Sequence, residues 1–379
     1  MPDVSYPISK TFSYCVLLSL VFLGLLYGVL YRSARRAPIE SRIALQPPLK
    51  ADIRIAPINF RPESTGVVVF LHIQKTGGSD FGRKLLRFDV GRPCEKMTDS
   101  RKRSNCFRPG SDKESWLFSR YTIGWPCAVH ADWTELHECV EKTLDRTEGK
   151  KGRGRRRFFY VTMLRDPVRR FVSEYAHVKR GATWVTRHHC GGQPVTSKQL
   201  PECYAGFSEK KPWPRLTMDK FLACESNLAI NRQTRMLADL TLVGCYSNKY
   251  SKTKRERMML ESAKANLKSM AFVGLTEYQA ESQALFEHVF NFKFSIQFET
   301  EQQSKSRADY ERLGDVVRKR ITEVNWMDVE LYSFARTLFL ERHRALTNGS
   351  MRVKSEWTQF LLAGDKEAMN KDDDSIEEN

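Results

Sequence analysis

The segment His72-Ile73-Gln74-Lys75-Thr76-Gly77-Gly78-Ser79-Asp80 sets a lysine just before a pair of glycines, directly behind an unbroken apolar run. A strand, a glycine-rich turn and a helix in that order let backbone N–H groups and a helix N-terminus cradle a phosphate. This is not the G-x-x-x-x-G-K-[ST] pattern, because Lys75 precedes the glycines. A lysine so placed can still neutralise a phosphate ester and stabilise a leaving oxygen. Taken alone, the segment reads more readily as an ordinary βα turn with a surface lysine. A second turn, Arg165-Asp166-Pro167, ends another apolar run, and Ser173 follows on the helix it opens. Ser173 shares a helical face with Arg169 and His177, since residues four apart stack on one side. An arginine and a hydroxyl converging on one phosphate is sound chemistry, although Arg165-Asp166-Pro167 by itself also reads as a capped helix start. The two turns together describe a nucleotide carrying two separate phosphate groups.

Positioning these residues requires a parallel sheet. Val67–Ile73 is apolar throughout, the pattern of a strand buried on both faces. A helical stretch to about Arg87 follows the glycines. Strand-like pieces occur near Trp116–Tyr121 and Ala128–His130 within a loop-rich region from Cys94 to Trp133. Phe158–Leu164 is a further strand-like run, and Asp166 and Pro167 cap and open a helix through about Lys179. Helices are expected at Met218–Cys224, Leu228–Leu237, Lys254–Met270, Glu277–Phe290 and Asp309–Leu346, the last broken near Asn325, with a short strand at Ala271–Leu275. Lys150–Arg157 is a basic low-complexity insert that reads as a solvated loop.

A proton acceptor working near neutrality is most naturally histidine, and the chain has 8. His288 and His343 fall in amphipathic helical segments and read as structural. His188 and His189, beside Cys190, read as a chance cluster rather than a metal site. The residues leave His72, His130, His137 and His177 open. If Ala128–His130 is a strand, Asp132 shares a face with His130 and can orient its ring.

Over 379 residues the formal net charge is +17, with 41% hydrophobic and 28% charged residues. That describes a globular chain drawn to polyanions: nucleic acid, an anionic membrane or an acidic polysaccharide. Thr11 to Tyr31 is uncharged, apolar and long enough to span a bilayer. Arg32, Arg35 and Arg36 follow it while only Lys10 precedes it, a bias that alone would keep the large domain in the cytosol. The cysteines point the other way. Apart from Cys15 they form an even set, none in a C-x-x-C pair, which suits disulfides in an oxidising compartment; their connectivity is not readable. Asn348-Gly349-Ser350 adds a glycosylation acceptor. The expected organisation is a cytosolic tail at 1–10, a transmembrane signal anchor at 11–31, a stem at 32–61, a lumenal body at 62–346 and a disordered acidic tail at 347–379. A lumenal body demotes nucleic acid as a partner.

The segments FLHIQKTGG, RPG, WLFSRY, GWxCxxHADWTEL, LRDPVxRxVSEYxHVxRGATW, NRxTRMLADLxLVGCY and FVGLTE resemble the heparan sulfate 6-O-sulfotransferases, over roughly Val67 to Leu346. That resemblance implies a P-loop-like α/β sulfotransferase fold and a Golgi type II membrane protein. It implies transfer of a sulfuryl group from 3′-phosphoadenosine 5′-phosphosulfate (PAPS) to heparan sulfate, with no metal required. It assigns the nucleotide to His72, Ile73, Gln74, Lys75, Thr76, Gly77, Gly78, Ser79, Asp80, Arg165, Ser173, Ser306 and Arg307, with Lys75 stabilising the leaving phosphate. It makes His130 the proton acceptor, and gives the polysaccharide to Lys102, Arg103, Arg120, Trp125, His177 and Trp184. Glu299–Lys305 departs from the family pattern in length and polarity. Rival readings are a PAPS-dependent enzyme for another acceptor and a heparan-binding membrane protein without catalysis. A metal-dependent glycosyltransferase is disfavoured because the only Asp-x-Asp lies at Asp372–Asp374 in the tail.

Overall fold

The computed structural model describes residues 57–348 except 99, 101, 150–155, 182–187, 202, 204–212, 214 and 299–309. The chain divides into two units, Met1–Asp52 and Ile53–Asn379, and every described residue belongs to the second. The expected span, the stem up to residue 56 and the acidic tail from residue 349, and with them Trp184, Ser306 and Arg307, lie outside the described residues; of the expected stem, residues 57–61 are described, and Phe60 is buried in the core. Among the described residues no helix is long and apolar enough to cross a membrane.

Four strands form a parallel sheet: β1 (Gly66–Leu71), β2 (Leu117–Phe118), β3 (Arg157–Leu164) and β4 (Phe272–Leu275), in the order β2-β1-β3-β4. The register runs from Gly66 opposite Arg157 to Leu71 opposite Thr162, and from Val161 opposite Phe272 to Leu164 opposite Leu275. Every residue of β1 is buried, as an apolar run without alternation requires. The helices in chain order are α1 (Gly78–Leu85), α2 (Trp133–Glu148), α3 (Pro167–Lys179), α4 (Arg232–Leu237), α5 (Lys252–Ser269), α6 (Gln279–Phe290), α7 (Asp315–Val324) and α8 (Trp326–Asn348). A short helix, Met218–Ala223, precedes α4. Phe81 of α1, Phe272 of β4 and Phe286 of α6 stack edge and face within 5.8 Å and seal one side of the sheet.

Three local expectations change. Ala128–His130 is not a strand: a 3-10 turn at Trp125–Cys127 runs into Ala128 at φ 76°, and His130 sits on the turn beyond. Asp132 is consequently an N-cap, its side chain accepting from the Glu135 N–H at 2.9 Å while Glu135 accepts from the Asp132 N–H at 3.1 Å. This capping box starts α2, a helix the pattern reading had passed over. The helix expected from Leu228 begins only at Arg232, because Asn231 takes the left-handed conformation with φ 47°. The break at Asn325 stands, between α7 and α8.

Disulfides join Cys94 to Cys106, Cys127 to Cys139, Cys190 to Cys245 and Cys203 to Cys224.

The sheet order carries the consequence for function. β1 has β2 on one side and β3 on the other, so the chain reverses its direction of build between β1 and β3; ligands of open α/β sheets sit at such switch points, beyond the strands' C-terminal ends. The Lys75 turn leaves β1 there and the Arg165 turn leaves β3. Thr276, just past β4, brackets them: its hydroxyl reaches the carbonyls of Thr76 at 2.6 Å and Leu164 at 2.9 Å. Gln233 grips Arg165 from behind, accepting from its N–H and donating to its carbonyl, both at 2.9 Å. Asp166 N–H donates to Glu277 at 2.9 Å, and Glu277 in turn accepts from the Tyr332 hydroxyl at 2.8 Å.

Thr276→Val keeps the shape and removes the donor, leaving the buried Thr76 carbonyl unmatched, at a cost of about 1–3 kcal/mol. The urea midpoint should fall accordingly, and Thr276→Ser should restore it. A Val variant as stable as the parent means the bracket is not what ties the turns.

Candidate functional site

A cavity of about 570 Å³ opens where these turns meet, within the range of small-molecule sites. The first turn contributes His72, Gln74, Lys75, Gly77, Gly78, Ser79 and Asp80, and the second contributes Arg165, with Ser173 and His177 from α3. Lys75 and Arg165 therefore face one space, and the Arg165 guanidinium donates to the Lys75 carbonyl at 3.4 Å. Gly77 has φ 72° with Thr276 beneath it, and a Cβ on Gly78 would meet the His72 ring at 2.3 Å. Only glycine lets the backbone lie this close to both. Gln74 Oε1 is buried with no partner among the described residues, an orphaned polar atom in the cavity wall.

The cavity is strongly cationic. Lys75, Arg83, Arg120, Arg165 and Arg180 line it against a single carboxylate, Asp80, whose charge is met by Lys84 at 2.7 Å and Arg83 at 3.5 Å. Beneath α3, Glu174 is buried between Arg170 and Arg232; burial pulls its carboxyl upward, but the two guanidiniums prevail and hold it down to about 2. That buried cluster fixes the helix from which Ser173 and His177 project.

Two histidines meet at the cavity's inner end. Their rings lie 4.7 Å apart, and His130 Nδ1 is 3.1 Å from the His72 carbonyl. A carbonyl only accepts, so Nδ1 carries the proton and Nε2 presents a lone pair. Arg120 Nη1 lies 3.4 Å from that Nε2 and 3.4 Å from His72 Nδ1. Burial, with Arg120 and Arg232 adding to it, brings His130 down to about 4 against the pull of the His72 carbonyl. His72 is also held well below the usual imidazole range, by burial and then by His130 and Arg120. His177 is lowered by burial and by Lys75 and Arg180. All are neutral bases at pH 7. A neutral imidazole with its second nitrogen pinned is built to accept a proton.

The other expected site residues divide. Ile73 and Thr76 turn their side chains into the core, Thr76 donating to the Ile73 carbonyl at 3.0 Å. Arg169 turns away from Ser173 and stacks over Tyr310, 5.0 Å from its ring centre. Trp125 is 45% exposed, so it is no core aromatic, and its indole N–H donates to the Arg120 carbonyl at 2.7 Å. Lys102 and Arg103 lie on the hairpin between Glu95–Lys96 and Ser104–Asn105, outside the cavity wall, joined to its rim by Ser104 N–H donating to the Tyr121 carbonyl at 2.8 Å. Asp132 is committed to capping and does not orient His130. Its carboxyl is pushed up by burial and by Glu135 beside it. Arg83 and Arg180 are cavity cations the sequence reading missed, although Arg83 lies one turn on from Ser79, and Arg180 three residues after His177.

The profile of the Sulfotransferase family matches residues 59–335. The chain is 47% identical over 311 residues to heparan-sulfate 6-O-sulfotransferase 2 of Homo sapiens, covering 80% of this chain and 50% of that protein. It is 48% identical over 290 residues to heparan-sulfate 6-O-sulfotransferase 3-B of Danio rerio, covering 76% and 67%. To heparan-sulfate 6-O-sulfotransferase 1 of Homo sapiens it is 47% identical over 292 residues, covering 76% and 69%. The chain thus spans about half the length of the first of these relatives and two thirds of the others. Identity at this level, along the whole body that brings the two turns to one cleft, places the chain in the sulfotransferase family, among the heparan-sulfate 6-O-sulfotransferases.

Proposed function

We propose that this protein transfers a sulfuryl group from PAPS to the 6-hydroxyl of glucosamine residues in heparan sulfate. The observation that carries this reading is that Lys75, Arg165, Ser173 and a neutral His130 face one cationic cavity. The donor supplies a sulfuryl group already joined to a good leaving phosphate. The wall suits it: glycines that admit a phosphate to the backbone and cations at both turns.

Lys75 and the Gly77-Gly78-Ser79 backbone hold the 5′ end and relieve the charge that collects on the departing phosphate oxygen. Arg165 and Ser173 hold the 3′-phosphate, with Ser306 and Arg307 assigned to the same ligand by the family resemblance. His130 Nε2 takes the proton of the acceptor hydroxyl as its oxygen bonds to sulfur. Arg120 and His177 meet the acidic sugar inside the cleft, Trp125 and Trp184 stack on pyranose faces, and Lys102 with Arg103 engages the chain further out. The disulfides support an oxidising compartment, in keeping with a Golgi lumenal body on an N-terminal anchor.

His130→Ala should bind adenosine 3′,5′-bisphosphate in isothermal titration as the parent does and lose about 10²–10⁴-fold in turnover. Unchanged turnover moves the base to His72 or His177. Lys75→Ala should weaken both nucleotide binding and turnover, and a parent-like Lys75→Ala removes that residue from the leaving-group role. Disaccharide analysis after transfer from labelled donor checks the carbon sulfated; label on any other position overturns the 6-O assignment.

The pH profile follows from the same ring. The base acts deprotonated, and a pKa lowered to about 4 keeps it so well below the usual imidazole range. kcat/KM, which reports the free enzyme, should hold from neutrality through about pH 5 and fall only as pH drops through about 4. An acid limb centred near the ordinary histidine value would contradict the enclosed setting of His130.

A further inference from the structure

The geometry points to Arg120 as a latch on the base: its guanidinium caps the lone pair of His130 Nε2, and an anionic group on the acceptor draws it off, so that the base is freed only for an acidic sugar. This rests on the reading that His130 is the proton acceptor.

The latch is visible in the partners Arg120 has. A guanidinium can only donate. Its polar contacts are two neutral imidazole nitrogens, His72 Nδ1 and His130 Nε2, each at 3.4 Å, and among the described residues it has no ion pair. It stacks loosely on Tyr121, 5.2 Å from the ring centre, and faces the cavity half-buried. A cation enclosed among neutral acceptors is poorly matched. Each imidazole offers the guanidinium one neutral acceptor at a long 3.4 Å, whereas a carboxylate or sulfate brings full opposite charge and can accept two parallel N–H bonds, so an anion within reach takes the guanidinium from the histidines. The backbone does not have to follow, because the Arg120 carbonyl is pinned by the Trp125 indole at 2.7 Å.

The base cannot escape the cap by changing tautomer. Its Nδ1 proton is held by the His72 carbonyl, so Nε2 is the one nitrogen available, and it is the one Arg120 covers. The groups facing His130 are His72 from the first turn, Arg120, Arg232 of α4 and Glu174 of α3; Glu174 is engaged by Arg170 and Arg232, so Arg120 is the charge of this group that pairs, among the described residues, only with imidazoles. Discrimination for acidic acceptors therefore enters kcat and not only binding.

The experiment compares two acceptors with the full chain and PAPS: an N-acetylated octasaccharide with glucuronates, and the same molecule with its carboxyls reduced to alcohols. The parent enzyme at saturating acceptor should turn over the reduced form at least roughly tenfold more slowly, as expected for a charge-assisted hydrogen bond left unexchanged. In Arg120→Met, which keeps length and removes the donors, kcat on the reduced acceptor should rise above the parent's, and the ratio of kcat on the acidic to the reduced acceptor should fall towards one. The acid limb of kcat/KM should also move to higher pH, since a cation beside the base is gone. Equal parent kcat on both acceptors, with a difference in KM alone, overturns the latch without any variant. So does an Arg120→Met enzyme that merely raises KM for the acidic acceptor and gains nothing on the neutral one. A parent enzyme that binds nucleotide but sulfates neither acceptor overturns the proposed activity itself, and the latch with it.

Discussion

Everything at the site depends on two parallel strands being neighbours. Lys75 and Arg165 are 90 residues apart in sequence, and they meet only because β1 and β3 pair along their whole length. Pairing alone would leave two adjacent loops free to adopt many arrangements. The hydroxyl of Thr276, 200 residues beyond Thr76, reduces that freedom by reaching both the Thr76 carbonyl in the first turn and the Leu164 carbonyl where β3 ends. Gln233 and Glu277 then fix the second turn from the side away from the cavity. The result is a set of cations whose separation is decided by sheet geometry, while the side chains themselves stay available to a ligand. Positioning of this kind supplies much of the catalysis in related group transfers.

Gathering five cations around one carboxylate is unfavourable before any ligand is considered. The fold offsets this in two ways. Glu174 and Asp328 are buried beneath the site beside Arg170 and Arg232, so the second layer of charge is neutralised internally. The histidines are kept uncharged by the same enclosure, which removes three further potential cations from the wall. What remains is an unbalanced positive field in a partly dry cleft, where it acts strongly. An anionic nucleotide and an acidic polysaccharide each relieve it. The histidines' low proton affinity and the cleft's appetite for anions are thus two results of one arrangement.

The side proposed for the donor was largely legible in the sequence, because it is built from short segments whose residue types and local order state their own geometry. A buried apolar run, a glycine pair and a lysine define the first turn; a run ending in Arg165-Asp166-Pro167 defines the second. Helix-face reasoning set Arg169, Ser173 and His177 in one row of α3, and Ser173 and His177 of that row line the cavity while Arg169 stacks over Tyr310. The acceptor side was less legible. His130 sits on a turn made possible by Ala128 at φ 76°, a conformation that an alanine does not announce. Read as a strand, the segment gave Asp132 the wrong partner, when D-W-T-E already spelled a capping box. Thr276, Gln233 and Glu277 could not be found from local pattern, because their roles exist only across long sequence separations.

That difference in legibility has a physical origin in how each side is held. The donor turns hang from hydrogen-bonded strands, and no disulfide touches them. The four disulfides all lie on the loop-rich remainder. Cys94–Cys106 closes the hairpin that carries Lys102 and Arg103, Cys127–Cys139 ties the turn before His130 to α2, and Cys190–Cys245 anchors the segment next to residues 182–187. Links across short loops stabilise by roughly 3 kcal/mol each in the chain-entropy account, enough to order segments that lack a ladder of their own. Glu135 extends the same brace by accepting from the His189 N–H at 2.8 Å while it caps the helix behind His130. The surface proposed to follow an irregular polysaccharide is thus made of loops and fastened covalently. The surface proposed to grip the nucleotide is made of strand ends. Only the second kind writes its geometry into consecutive residues.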